Sequence, residues 1–374
     1  MSAETTLLDA GWSRPSAVPD LSGDDPVARF AAAAASPWVG LVIPTDLSGL
    51  GGSILDAASA QRTMARTDPS AAIALNMHVF TVGLMVEYWE RHRDTSWMLL
   101  EGIAGSGGLV ASAFAEPGGS PNFLATASRA EPTDGGWLVT GRKMPCSLAA
   151  SARLFCLTAA DSTTGNTIVA LCPAESPGIF IEDPWPSIGM RGSDTGAVRF
   201  ESVFVDRRLV FHQAPPNEAD DLVVAGLVWF NALAAASYHG LLTELVALAA
   251  ARAGRGSGRA EGWADALLGR ATQDVYLLGA AVQRLACLWA SRDLPDQVAL
   301  AASLALRAQT ADVRDRVVHG LTPLLGSQVF VAGTPAGQLA LDSLAAPHHP
   351  PGRALCDLEL GRHIRHHRID LEAS

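Results

Sequence analysis

The sequence predicts a multidomain α+β protein: an N-terminal helical domain, a central β-barrel domain and a C-terminal four-helix bundle. Three observations carry that reading. A chain of 374 residues is long enough for two or three domains. Hydrophobic residues make up 48% and charged residues only 17%, so a large core is available, and its alanine, leucine and valine content favours helix. The hydrophobic period also changes twice along the chain, which sets domain boundaries at 1–108, 109–213 and 214–374.

The first zone reads as helices with clear starts. DPVARFAAAAA opens on Asp25-Pro26, and proline suits the first turn of a helix. SILDAASAQRTMART follows a glycine-rich break, and DPSAAIALNMHVFTVGLMVEYWERH opens on Asp68-Pro69. In the second zone, LVASAFAE, GWLVTGRK, RLFCLTAA, TIVALCPA, GIFIED and AVRFESVFVD are short runs rich in β-branched and aromatic residues. Asp-Gly, Thr-Gly and Pro-Gly turns separate them, as in a small barrel. Helical texture returns in the third zone. Its longest apolar run, 222–251, is interrupted by Asn231, Ser237, His239 and Glu244, so it is expected as a buried bundle helix rather than a membrane span.

Composition excludes several function classes. The net charge of −11 and the lack of any basic run beyond RHIRHHR at 362–368 argue against nucleic acid. Five cysteines without CxxC spacing point to reduced thiols, not a disulfide frame or a zinc site, so no metal is expected. The first residues have no signal-peptide pattern, which leads to an expectation of a cytoplasmic protein without membrane association.

AFAEPGGSPN (113–122) places a carboxylate just before a bare Pro-Gly-Gly-Ser turn. Such a turn lets a ligand approach main-chain N–H groups closely, and it also suits a tight turn capped by Glu116. Context adds to this. AFAEPGGS is similar to the "TEP-x-x-GS" segment of the acyl-CoA dehydrogenase superfamily of flavoproteins. GGWLVTGRKMPCSLAASARLFCLTA (135–159), IGMRGSDTGAVRFESVFVD (188–206) and GLVIPTDLSGLGG (40–52) resemble three further segments of that family, in the family's order. The resemblance spans residues 36 to 365.

The resemblance implies a flavin, FAD or FMN, bound by Phe114, Ala115, Gly119, Ser120, Pro145 and Ser147. Ser147 would place its hydroxyl by the reactive nitrogen. Ala115 stands where the family has threonine, and Pro145 where it stacks an aromatic. Glu116 is then expected to hold the turn. KMPCS looks more like the monooxygenase-like branch than the dehydrogenase form. The two positions where the family keeps a catalytic glutamate land on Pro350 and Phe230, neither a carboxylate, and the family's arginine beside the base helix is Asn231 here.

The implied function is therefore a flavin-dependent oxidoreductase of acyl-CoA dehydrogenase type that lacks the usual glutamate and acts as a monooxygenase or oxidase in specialised metabolism. Its substrate would be a small molecule, free or thioester-linked, and its electrons would come from a flavin reductase. Assembly would be as a homodimer or homotetramer. His78 and His349 are the expected proton-handling groups, with Ser147 the third candidate catalytic residue. His78 also suits a core histidine satisfied by a backbone carbonyl, and His348-His349 a surface turn. Two alternatives stand. One is a true acyl dehydrogenase with a displaced base (Asp342, Glu359 or Glu244); the other is a scaffold repurposed for non-redox catalysis or binding. Arg255, Arg259 and Arg270 are unaligned candidates for a flavin phosphate.

Overall fold

The computed structural model of the chain describes residues 7–12, 15, 18–21, 25–118, 125–182, 184–215, 221–254 and 261–366. Helices α1 (Pro26–Ala34), α2 (Ile54–Thr67), α3 (Pro69–His92) and α4 (Trp97–Ser106) form the first zone. Three of them start where the sequence places a short acceptor before a helix. Asp25 takes the N–H of Val27, Ser53 and Asp56 form a reciprocal capping box, and Asp68 takes the N–H of Ala71 at 2.9 Å. Asp68 also pairs with Arg29, tying α3 to α1.

The strands are β1 (Leu109–Ala113), β2 (Arg129–Thr133), β3 (Gly136–Cys146), β4 (Ala152–Asp161), β5 (Thr167–Pro173), β6 (Ile179–Ile181), β7 (Gly196–Asp206) and β8 (Val210–Ala214). They form one mixed sheet in the order β6-β7-β3-β2-β4-β5-β8, with β1 parallel to β4. One edge of β4 is shared, by β1 along Ala152–Leu157 and by β2 at Ala160–Asp161, so the sheet splits there into two layers. The layers fold face to face: Phe155 of β4 meets Phe200 of β7 at 5.9 Å, both buried. The unit is thus barrel-like, but hydrogen bonding among the described residues leaves three strands with one partner each, β1, β6 and β8. The β8 end is covered by α3, where Tyr88 packs on Phe211 and His212.

The third zone holds α5 (Asp221–Ala253), α6 (Glu261–Ala290), α7 (Asp296–Leu325), α8 (Pro335–Ser343) and α9 (Arg353–His366). The apolar run expected as a bundle helix is α5. Both α3 and α5 are long and apolar enough to cross a bilayer by length and composition, yet 94% of each apolar window is buried inside the fold. The two cross closely: a Cβ on Gly83 would lie 2.5 Å from the Trp229 ring, so only glycine permits the contact. Glu87 of α3, buried, accepts from both the Trp229 and Trp289 indoles and pairs with Arg292. One carboxylate therefore joins α3, α5 and the end of α6.

Candidate functional site

The site begins where β1 and β3 end side by side. Met144 donates its N–H to Ala115 O at 2.8 Å, and the Cys146 thiol faces Ser112 O at 3.7 Å. Glu116 anchors this corner. It accepts from Lys143 Nζ, Thr126 Oγ1, Ala127 N, Ser128 N and Ser128 Oγ, all within 3.1 Å. Burial alone would push this carboxyl up, but the Lys143 ammonium and the added donors hold it down to about 2. Burial lowers Lys143 to about 8 against the pull of Glu116. The carboxylate before the bare turn therefore spends its acceptor capacity on holding the chain. Gly119 and Ser120 lie outside the described residues.

Ser147, half-buried at the end of the same strand, begins a row of hydroxyls. Its Oγ lies 2.7 Å from Thr195 Oγ1, which lies 2.7 Å from Ser193 Oγ, which donates to Met190 O at 2.7 Å. The loop that carries this row is pinned from the helical side. Met190 N donates to Asp342 Oδ1 at 2.5 Å, and Gly189 runs so close to α8 that a Cβ would sit 2.2 Å from Leu341 O. Pro145 is exposed beside Ser147.

From Phe114, just after β1, a line of rings crosses the seam between the sheet and the helices. Phe114 meets Phe80 of α3 at 6.2 Å, Phe80 meets Phe230 of α5 at 5.4 Å, and Phe230 meets His349 at 5.9 Å. The edge-on contacts suit the ring quadrupoles. His349 is held twice: Arg307 donates two N–H groups to its carbonyl, and its Nε2 faces the Tyr238 hydroxyl at 2.7 Å. Tyr238 is 1% exposed. A phenol buried that deeply has to donate, so Nε2 accepts and the ring proton sits on Nδ1. Burial, then the Arg307 and His348 charges, lower His349 to about 3, so it stays neutral at ordinary pH. Phe80, Thr195, Tyr238 and Arg307 escaped the sequence reading, since nothing in their local sequence distinguishes them from core or strand residues.

His78, expected as a proton-handling group or as a core histidine held by main chain, does not join this seam. It stands two residues before Phe80 and so about 200° round the helix. Its Nε2 donates to Val39 O at 2.9 Å, and its Nδ1 accepts the Val110 N–H at 3.0 Å. Both nitrogens are consumed by main chain, the ring is 1% exposed, and burial lowers its pKa to about 4. The displaced-base candidates are committed elsewhere as well. Asp342 holds Met190, Glu244 pairs with Arg66, and Glu359 pairs with Arg362 on the surface. Pro350 is exposed. Arg255 and Arg259 lie outside the described residues, and Arg270 is exposed on α6.

A profile of the acyl-CoA dehydrogenase middle domain matches residues 111–203, the stretch that carries β1 to β7. Isobutylamine N-hydroxylase of Streptomyces viridifaciens is 31% identical over 84% of this chain and 83% of its own. L-evernosamine nitrososynthase of a Micromonospora species is 28% identical over 89% of this chain and 82% of its own. Among solved structures, KijD3 in complex with FMN and a dTDP-linked amino sugar superposes with a TM-score of 0.82 at 22% identity, over 91% of this chain and 87% of that one.

Proposed function

This chain belongs to the acyl-CoA dehydrogenase superfamily and is a flavin-dependent oxidoreductase of its monooxygenase-like branch; from that premise we propose that it oxygenates the nitrogen of a small amine. One observation carries the reading. At the α5 position that the resemblance allots to the carboxylate base stands Phe230, and its ring neighbours are Phe80 and His349. A carbon acid bound there would have no strong base to take its α-proton. A primary amine needs no such base; it needs its lone pair. An apolar wall disfavours the ammonium form and favours the neutral amine, so the seam itself prepares the nucleophile.

The corner formed by Ala115, Pro145 and Ser147 fits a flavin in one structural respect. A half-buried hydroxyl backed by two others stands at the end of β3, next to the strand residue Met144 that bonds Ala115, where it can face a ring nitrogen. When bound, reduced flavin supplies two electrons and activates dioxygen; the balance is amine plus O2 plus reduced flavin to hydroxylamine, water and oxidised flavin. The protein's part is to hold the amine against the wall made by Phe80, Phe114 and Phe230 and to keep bulk water out. His349 offers a neutral Nδ1–H donor locked by Tyr238. The similarity to an N-hydroxylase and a nitrososynthase supports nitrogen as the atom oxidised. We assign the flavin as FMN or FAD delivered by a separate reductase. A homo-oligomer is supported by exposed apolar side chains such as Trp263, Leu277 and Phe330. Five free cysteines, four of them buried, support a reducing cytoplasm.

The test supplies purified protein with FMN, a flavin reductase, NADH and oxygen, and offers it a panel of short branched alkylamines and acyl thioesters. Oxygen-dependent hydroxylamine formation is expected. Anaerobic bleaching of protein-bound flavin by an acyl thioester would overturn the proposal in favour of dehydrogenation.

A further inference from the structure

The row of hydroxyls behind Ser147 has a direction. Ser193 has one hydroxyl proton and donates it to Met190 O, a carbonyl that can only accept. Its contact with Thr195 must then have Thr195 as donor. Thr195 has thereby used its own proton, so in its contact with Ser147 it accepts, and Ser147 donates. Each distance is 2.7 Å, ordinary for O–H···O. The far end is anchored: Ser193 is 3% exposed, and Met190 is held by buried Asp342. The result is that Ser147 can only accept from any further partner, its proton turned inward.

Resting on the flavin reading above, we propose that the Ser147–Thr195–Ser193 relay makes this corner selective for reduced over oxidised flavin. Reduced flavin carries a hydrogen on N5, which can donate to Ser147 Oγ. Oxidised flavin presents a bare lone pair there, which meets the lone pairs of Ser147 unless the serine proton is pulled off Thr195. Breaking that bond leaves the half-buried Thr195 hydroxyl with an unused acceptor, which opposes the turn. Thr195 and Ser193 act through Ser147 and are positioning residues. A monooxygenase fed by diffusing reduced flavin gains from this polarity, because it captures the reduced form and releases the spent one.

The experiment measures dissociation constants for oxidised FMN by fluorescence quenching and for photoreduced FMN by anaerobic titration, on wild type, Thr195→Val and Thr195→Ser. Wild type is expected to bind reduced FMN at least tenfold more tightly, equivalent to raising the bound two-electron potential by about 30 mV. Thr195→Val frees the serine proton, so its ratio should fall toward one, chiefly through tighter binding of oxidised FMN. Thr195→Ser should keep the wild-type ratio. Circular dichroism establishes that the variants fold. Binding of both forms with a ratio unchanged in Thr195→Val would overturn the relay alone. Failure of the folded wild type to bind either form would overturn the flavin reading and the relay with it.

Discussion

Tyr238 is the residue on which the chemistry of His349 depends. Its hydroxyl fixes the ring's tautomer at 2.7 Å, and the Arg307 fork fixes the main chain beneath. Replacing it by phenylalanine removes one hydroxyl and leaves the apolar contact in place. Tyr238→Phe should therefore lower kcat about tenfold to a hundredfold, the scale of a positioned proton donor, with little change in FMN affinity. Because burial holds His349 near 3, the pH–rate profile should show no inflection that the His349→Gln variant removes between pH 5 and 8. An inflection lost in that variant would show the imidazole titrating during turnover. By contrast, His78 has the same side chain and the opposite commitment. Two main-chain groups, Val39 O and Val110 N, occupy it, and it serves as a clip between the first helices and β1.

At the scale of elements, the Glu116–Lys143 pair decides whether β1, β3 and the segment at 126–128 meet. Five donors converge on one carboxylate whose partner lysine is 1% exposed. Lys143→Met keeps the stem and removes the ammonium, leaving the carboxylate buried with its charge unmatched. The expected cost is about 3–5 kcal/mol, read as a shift in the urea midpoint. The double variant Glu116→Gln/Lys143→Met should recover part of that loss, since a neutral amide can keep several of the same donors. A double variant no more stable than the single one would show that packing around Lys143, not charge, carries the corner.

For the whole molecule, pH acts mainly through histidines buried neutral. His78 is lowered to about 4, His239 to about 3 and His349 to about 3, in each case first by desolvation. Their folded values lie below the unfolded 6.5, so the unfolded chain takes up protons first. Stability is full above pH 6.5 and falls as pH drops toward 4. Each histidine contributes a slope of about 1.4 kcal/mol per pH unit. Below pH 4.5 Glu116 adds to the loss in the same direction, as its depressed carboxyl is protonated in the unfolded state. Urea midpoints at pH 7.5, 6.0 and 5.0 should decline steadily, and His78→Asn should flatten the decline between 6.0 and 5.0. Midpoints independent of pH would mean that these rings are open to water.

Much of this molecule is legible in the chain by itself. Caps at Asp25, Ser53 and Asp68 are local acceptors for nearby N–H groups, so they announce three helices without help from the fold. The change of hydrophobic period marks the strands, and the long apolar stretch 222–251, with its few polar interruptions, marks the central helix, because periodicity and burial follow from the chain's own geometry. The placement of Phe230 where a base would stand is likewise a matter of counting. Side-chain commitments across long separations are another matter. His78 and His349 look equally able to move protons in the sequence, and only the fold brings Val39 and Val110 to one and Tyr238 and Arg307 to the other. Likewise Ser147 becomes an acceptor only because residues 190–195 are folded against it and held by Asp342, 152 positions beyond Met190. A hydrogen bond's direction depends on what every partner along the row has already donated, and that accounting exists only once the chain has closed in three dimensions.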